Sequence, residues 1–313
     1  MNKITVVGAG NVGATVANVL AHKDLAREIV LLDIKEGVAE GKALDIWQTS
    51  SINNFNTRVK GCTNDYLKTK GSGINVITSG IPRKPGMSRD DLIRTNAVIV
   101  KEVVERSIKY SPDAIFIIVS NPLDVMTYVA YKAANKDSRK VFGMAGILDT
   151  GRYKAFIAEA LDISPKDIHA MLMGSHGDSM VPLRRYTSVG GLPVTELLNK
   201  EELDKIIERT RKGGGELVNL MGTSAWYAPG AAVAQMVEAI VDDEKRIFPV
   251  CAYLGGEYGL KNIYMGVPVK LGKNGIEEII QLQLNAREQK MVEESAASVR
   301  EVMDILDEMK LFE

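Results

Sequence analysis

The sequence has few cysteines, almost no net charge and no long apolar segment, and each of these features excludes a class of protein. Its two cysteines, Cys62 and Cys251, are too few for a disulfide scaffold, and their separation does not match metal-ligand spacing. They favour a reducing compartment, where both would simply fill apolar space. We therefore expect neither a disulfide framework nor a metal site.

The charges nearly cancel, with 39 lysines and arginines against 40 aspartates and glutamates. A net charge of −1 provides no broad field to hold polyanions, so neither nucleic acid nor a membrane surface is an expected partner. Apolar runs are short and interrupted, and the first strand pattern begins too early to leave room for a targeting peptide. A cytoplasmic location is expected.

The first half of the chain alternates between strand and helix patterns. Continuous apolar runs occur at 4–7, 28–34, 74–79, 114–120 and 141–145. Such runs predict strands that are buried on both faces, as in a parallel sheet covered by helices. We therefore predict an α/β fold with a doubly wound parallel sheet (Rossmann) as a cofactor-binding domain over residues 1–146.

The second half has a different pattern and predicts an α+β substrate-binding and catalytic domain over residues 147–313. Its predicted elements are a helix after 151, a strand at 167–173, a hairpin at 185–194, helices at 201–221 and 230–243, strands at 247–254 and 262–269, and a helix at 286–310. No linker rich in proline and serine separates the halves, so the two lobes should pack closely.

A glycine-rich motif closes the first predicted strand and opens a helix. Gly8 permits a tight turn, Gly10 lets the backbone approach a pyrophosphate, and Gly13 lets helix and strand pack closely. The helix N-terminus favours the phosphate charge. This context predicts a dinucleotide site, although an ordinary glycine-rich turn is the alternative.

Asp33 ends the second predicted strand, twenty residues after Gly13. A carboxylate there can accept hydrogen bonds from both ribose hydroxyls and would repel a 2′-phosphate, which favours NAD over NADP. The nearby cation Lys35 is a weak argument for NADP. The alternative interpretation of Asp33 is an ordinary turn residue at the end of a strand. Small polar residues at 78–80 and 119–121 follow two later strands, at the edge where such folds bind ligands.

Three histidines are present, and histidine is the side chain best suited to removing a hydroxyl proton near neutral pH. His22 lies in a charged stretch and His169 within a strand pattern, where a structural role is more common. His176 lies in a turn flanked by glycines that allow close ligand approach, so it is the favoured candidate. Asp149 is the candidate carboxylate partner.

Three arginines could bind carboxylates through their planar donor forks. Arg83 and Arg89 lie in a loop that directly follows a predicted strand and could close over a ligand, and Arg152 lies farther along the chain. Solvated loop charge is the usual interpretation of such a cation cluster and remains the alternative.

In several long motifs in the same order, the sequence resembles the lactate/malate dehydrogenase family, and specifically its LDH-like malate dehydrogenase branch. The resemblance spans nearly the whole chain and is carried by the segments 8–13, 81–89, 120–124, 148–152 and 176–178, together with Asp33.

This resemblance implies a role for each candidate. His176 would be the proton acceptor, Asp149 its partner, Arg152 the clamp on the carboxylate shared by 2-hydroxy acids, and Arg89 the polariser of the reacting carbonyl. Asn121 would hydrogen-bond the substrate oxygen. The cofactor NAD would be contacted by Gly8, Ala9, Gly10, Asn11, Val12, Gly13, Asp33, Asn96, Val119, Ser120 and Asn121.

The resemblance also implies that Arg83 decides the substrate. Relatives that act on lactate typically carry glutamine there, whereas arginine suits a second carboxylate, as in malate and oxaloacetate. A homo-oligomer is implied too, either a dimer or a tetramer, and the segments 36–48 and 230–239 could pack between subunits or within their own core. A lactate or other 2-hydroxy acid dehydrogenase and a non-catalytic NAD-binding redox sensor are the alternatives.

Overall fold

The computed structural model describes residues 1–82 and 86–312. Its strands, within that part of the chain, are β1 Lys3–Val7, β2 Glu28–Asp33, β3 Arg58–Thr63, β4 Ile74–Ile77, β5 Ile115–Ile118, β6 Val141–Gly143, β7 Ile168–His169, β8 Leu172–Met173, β9 Val181–Pro182, β10 Ser188–Val189, β11 Leu192–Pro193, β12 Arg246–Gly255, β13 Lys261–Gly272 and β14 Gly275–Ile279. Its α-helices are α1 Asn11–His22, α2 Val38–Gln48, α3 Ser50–Asn53, α4 Arg89–Tyr110, α5 Leu123–Ala134, α6 Gly146–Leu161, α7 Val194–Leu197, α8 Lys200–Met221, α9 Tyr227–Val241 and α10 Ala286–Glu308.

A nine-stranded sheet forms the centre of the fold, in the order β14-β13-β12-β6-β5-β4-β1-β2-β3. Every neighbouring pair from β3 to β6 is parallel. The strand order reverses between β1 and β4, so the carboxyl ends of these two strands flank the crevice where ligands of this fold bind. The predicted doubly wound α/β fold is thus confirmed.

The second half of the chain extends this same sheet, which the sequence did not predict. Strand β12 pairs antiparallel with β6 through Cys251 and Gly143, and β13 and β14 continue the antiparallel order. The two halves therefore share one continuous sheet. Two smaller sheets, β11-β10-β7 and β8-β9, complete the second half. The division into domains at 146/147 stays a prediction.

Three strands of the described chain were not predicted from the sequence, β3, β9 and β14, and one predicted strand is divided. Strand β9 is only two residues long. Strand β3 alternates exposed and buried residues at the sheet edge, and β14 is short and partly exposed, so neither forms a continuous apolar run. The predicted strand at 167–173 is two short strands, β7 and β8, which belong to different sheets.

Apolar residues from both halves form one large buried cluster around the central sheet, and a second cluster lies between α6, α8 and the small sheets. The longest helices begin at capping boxes. Ser88 and Asp91 start α4, and Asn285 and Glu288 start α10, because each pair satisfies the unpaired amides of a first turn. Among the described residues, no helix combines the length and apolar character needed to cross a bilayer.

Candidate active site

The glycine motif lies at the carboxyl end of β1, where steric limits explain two of its glycines. Gly8 has a φ of +105°, and a Cβ built on Gly13 would lie 1.8 Å from the carbonyl oxygen of Gly8. These positions accept no larger side chain without a backbone shift. A Cβ on Gly10 would meet no heavy atom within 4 Å. The space in front of Gly10 therefore fits a cradle for a diphosphate at the N-terminus of α1.

Asp33 closes β2 beside this loop. One carboxylate oxygen accepts the Ala9 amide at 2.6 Å and the other accepts the Lys35 amide at 2.9 Å. Sequence reasoning missed Lys42, whose Nζ donates to the Ala9 carbonyl at 2.8 Å. The carboxylate thus lies next to the glycine loop, at a position suited to a ribose of a dinucleotide bound there.

Polar residues that follow β4 and β5 complete this edge. Thr78 donates to the carbonyls of Val7 and Gly8, and Ser120 donates to the Ser79 carbonyl. The predicted cofactor residues that gather here are Gly8, Ala9, Gly10, Asn11, Val12, Gly13, Asp33, Val119, Ser120 and Asn121.

Asn96 is buried on α4, and its side chain bonds to protein backbone. Its oxygen accepts the Ile81 amide at 2.9 Å, and its nitrogen donates to the carbonyls of Ile81 at 3.2 Å and Asn121 at 2.8 Å. Asn96 therefore joins Ile81, which follows β4, to Asn121, which follows β5. The predicted contact of Asn96 with the cofactor stays a prediction.

His176 lies next to Asp149 and Arg152 in the structure, although more than twenty residues separate it from them in the sequence. The His176 Nδ1 lies 2.8 Å from one oxygen of Asp149, and Arg152 Nη1 donates to the other oxygen at 3.1 Å. Helix α6 presents both Asp149 and Arg152 because residues three apart share a face. This Asp149 carboxylate is 2% exposed, so its charge acts on the imidazole through little solvent.

The electrostatics of this cluster favour the protonated imidazole. The neighbouring Asp149 carboxylate raises the pKa of His176 above its ordinary value, and burial opposes that shift. The hydrogen bond at Nδ1 also leaves Nε2 as the nitrogen that can exchange a proton with a ligand. His176 can therefore accept a proton and hold it as a stabilised imidazolium.

The other two histidines have different surroundings. His22 lies exposed at the end of α1, with Nε2 3.3 Å from Asn53 and its ring against Phe55. His169 is exposed in the short strand β7. Neither lies at the carboxyl edge of the parallel strands.

Arg89 and His176 line one cavity of about 460 Å³, together with residues of the C-terminal helix α10. Arg89 is the first residue of α4 and is exposed. Arg83, the predicted selector of the substrate, lies outside the described residues. The structure thus brings one of the two loop arginines to the same cavity as the histidine.

Sequence reasoning also missed Gly213, which makes room for Arg152. A Cβ on Gly213 of α8 would lie 3.2 Å from Arg152 Cδ. The guanidinium lies close to this helix, and its Nε is buried without a hydrogen-bond partner among the described residues. In sequence alone, the run of three glycines within a helical pattern at 213–215 was the available signal.

Among the described residues, no group of three or more histidine, cysteine, aspartate or glutamate side chains could hold a metal ion.

Comparison with known proteins agrees with this geometry. The family model of the lactate/malate dehydrogenase NAD-binding domain matches residues 2–143, and that of the α/β C-terminal domain matches residues 147–309. A malate dehydrogenase of Cytophaga hutchinsonii is 63% identical over 305 residues, covering 97% of this chain and 98% of that protein.

Two solved structures extend the likeness. The malate dehydrogenase of Salinibacter ruber superposes with a TM-score of 0.95 at 53% identity, and covers 98% of both chains. A lactate dehydrogenase of Cryptosporidium parvum, complexed with lactic acid and nicotinamide adenine dinucleotide, has a TM-score of 0.94 at 39% identity and also covers 98% of both chains. By sequence and by structure, this chain belongs to the lactate/malate dehydrogenase family.

Proposed function

We propose that this chain catalyses the reversible, NAD-dependent oxidation of (S)-malate to oxaloacetate. The observation that carries the proposal is the hydrogen-bonded series of His176, Asp149 and Arg152 next to the glycine cradle. Relatives at 63% and 53% identity are malate dehydrogenases, whereas the lactate dehydrogenase structure is 39% identical.

Each residue of the series has a distinct task. Arg152 holds the carboxylate next to the reacting carbon through a paired hydrogen bond. His176 accepts the hydroxyl proton at Nε2 during oxidation and returns it during reduction. Asp149 fixes the tautomer and stabilises the imidazolium. Arg89 polarises the carbonyl oxygen, and Asn121 donates a hydrogen bond to it.

The cofactor would lie across the carboxyl edge of the parallel strands. The unfilled space in front of Gly10 and the steric limits at Gly8 and Gly13 fit a diphosphate there, and Asp33 would accept the ribose hydroxyls. When bound, NAD supplies the hydride acceptor. A 2′-phosphate would meet the Asp33 carboxylate, so NAD is preferred over NADP.

Arg83 selects the substrate in this proposal, because its guanidinium would pair with the second carboxylate of a four-carbon diacid. Each charge-assisted hydrogen bond contributes about 1.5–3 kcal/mol, so two such bonds separate malate from lactate by several powers of ten in rate. A lactate or other 2-hydroxy acid dehydrogenase is the second candidate, favoured by the Cryptosporidium parvum structure. A non-catalytic redox sensor is the non-enzyme alternative.

Steady-state kinetics with oxaloacetate, pyruvate and 2-oxoisocaproate, using NADH and NADPH in parallel, test the proposal. We expect oxaloacetate with NADH to give the highest kcat/KM. Arg83→Gln should move the preference towards pyruvate, while the matched control Lys84→Gln, which removes the charge of the next residue in the sequence, should not. Equal or greater turnover of pyruvate by the parent enzyme would reject the malate assignment, and absence of turnover with every acid would favour the sensor.

The cellular setting is part of the same proposal. We propose that the enzyme acts in the tricarboxylic acid cycle and in the cytoplasm, and that it has neither a nucleic-acid nor a membrane partner. We also propose a homo-oligomer, a dimer or a tetramer. Most apolar residues at 230–239 of α9 are buried within the chain, whereas Leu44 on α2 and Ile52 on α3 are 56% and 77% exposed, so α2 and α3 are better candidates for the contact than the segment 230–239. Light scattering on the purified enzyme measures its mass.

A further inference from the structure

The turn that carries His176 is fixed at two successive backbone amides by side chains from distant elements. The Ser175 amide donates to Ser295 Oγ of α10 at 2.8 Å. The His176 amide donates to a carboxylate oxygen of Asp124 at 3.1 Å. Both acceptors are buried. The backbone position of the histidine is therefore set by helices α10 and α5 and not by the turn alone.

Asp124 differs from Ser295 because it brings a buried charge. It lies in the first turn of α5, three residues after Asn121, and is 6% exposed. Its second oxygen accepts the thiol of Cys251 on β12 at 3.3 Å. Within the described part of the chain, the His176 amide and the Cys251 thiol thus both donate to this carboxylate, and these bonds offset part of the cost of burying an anion.

Keeping the Asp124 carboxylate ionised in this buried position costs free energy. Burial raises the pKa of Asp124 to about 6, although the Cys251 thiol and the His176 amide oppose that shift. An asparagine oxygen could accept the same amide without this cost. The carboxylate therefore needs a second reason, and the negative charge next to the imidazole provides one, because it raises the pKa of His176 in addition to Asp149.

We propose that Asp124 is a positioning residue for His176, a second carboxylate that anchors its backbone amide and, together with Asp149, stabilises its imidazolium. The expected effect of Asp124 on turnover rests on the proposed function. Its expected effect on the pKa of His176 does not, because that effect needs no substrate. Asp124 also ties the Asn121 segment to the His176 turn, so one side chain sets the relative position of two groups that meet the substrate.

Several charged or titratable groups face this pair of residues. Asp149 and Arg152 approach His176 from α6 and Cys251 approaches Asp124 from β12, while Arg89 and Glu301 line the shared cavity from α4 and α10. On the turn itself, Asp178 lines the cavity too. Replacement of Asp124 by asparagine removes only the charge of Asp124, leaves these other groups in place and preserves the size of the side chain.

Asp124→Asn is the direct test, and titration of the histidines by NMR with ¹³Cε1-labelled histidine gives a readout that needs no activity. With three histidines in the chain, loss of one signal in His176→Asn assigns the resonance. We expect Asp124→Asn to lower the pKa of His176, because one negative charge that stabilises the imidazolium is lost, and to reduce kcat for oxaloacetate about tenfold, because less of the histidine is then protonated to donate its proton. Affinity for NADH should change less than twofold.

Ser295→Ala is the matched control, because it removes the other anchor of the turn without removing a charge. Ser295→Ala should lower kcat but leave the pKa of His176 unchanged. Cys251→Ala serves as a second variant that keeps Asp124. Loss of the thiol donor makes the Asp124 anion less favourable, so the His176 pKa should fall in the same direction by a smaller amount.

Two outcomes overturn the proposal. An unchanged His176 titration in Asp124→Asn would leave Asp124 with the same structural role as Ser295. An unchanged kcat in a folded Asp124→Asn would show that the negative charge of Asp124 does not matter for turnover. Failure of the malate assignment is recognised separately, because the parent enzyme would then lack oxaloacetate turnover while the NMR shift could still be observed.

Discussion

The cofactor edge and the catalytic side of this site are assembled in different ways. At the cofactor edge, one contiguous motif at 8–13 makes the cradle, and the backbone limits at Gly8 and Gly13 follow from local geometry. On the catalytic side, His176, Asp149 and Arg152 meet through the packing of a turn against α6. The comparison teaches that a glycine cradle is specified locally, whereas a cluster of histidine, aspartate and arginine side chains depends on tertiary contacts.

Replacement of His176 by Asn should separate the two sides most completely. The asparagine side chain cannot accept the hydroxyl proton as the imidazole Nε2 would, so kcat should fall by a factor of about 10²–10⁴. Fluorescence titration should find NADH affinity close to that of the parent, because the cofactor edge is untouched. Turnover within about threefold of the parent would remove His176 from the mechanism.

Asp149→Asn tests the electrostatic part of the catalytic side. Reduction of oxaloacetate needs protonated His176, so kcat/KM is lost as pH rises through the pKa of that histidine. Asp149 is the largest cause of the raised pKa, so its removal should move this loss to lower pH and reduce kcat about 10²-fold. Asp304→Asn, an exposed change on α10, is the control. A pH profile of the Asp149 variant that coincides with the parent's would contradict the account.

A pair of alanine substitutions sharpens the account of the cofactor edge. Gly13→Ala places a Cβ against the Gly8 carbonyl, so we expect a loss of about 1–3 kcal/mol in the free energy of unfolding. Gly10→Ala meets open space at a φ of −65°, so it should fold like the parent but bind NADH about tenfold more weakly. Calorimetry measures both. Parent-like NADH affinity in Gly10→Ala would mean that no phosphate approaches this backbone.

Gly213→Ala is the mildest test of the catalytic side. The added methyl group would press on Arg152 Cδ and displace the carboxylate clamp, so the KM for oxaloacetate should rise roughly tenfold with a smaller change in kcat. Gly215→Ala on the same helix meets no heavy atom within 4 Å and serves as the control. Equal KM values for the two variants would show that Arg152 does not depend on this packing.

The same contrast explains what the sequence could predict. The parallel sheet was evident because buried strands read as continuous apolar runs, and the cofactor edge because Gly8 to Gly13 and Asp33 keep fixed spacing. Strand β3 was missed because half of its residues face solvent. The joining of β12 to β6 was missed because a single residue pair makes the connection.

On the side of His176, the pairing of the histidine with Asp149 could be predicted, but other contacts could not. The scarcity of histidine pointed to His176, and both side-chain chemistry and the family resemblance pointed to Asp149 and Arg152. Nothing local indicates that Asp124 receives the His176 amide or that Gly213 lies under Arg152, because these contacts join residues 52 and 61 positions apart. Such contacts are fixed by the packing of whole helices.

A crystal structure of the enzyme with NADH and a non-reactive four-carbon dicarboxylate tests the central claim most directly. The account predicts one carboxylate on Arg152, the other on Arg83, and the central oxygen within hydrogen-bond distance of His176 Nε2. A distal carboxylate bound away from Arg83, or arginines too far apart to hold both ends of one molecule, would contradict it.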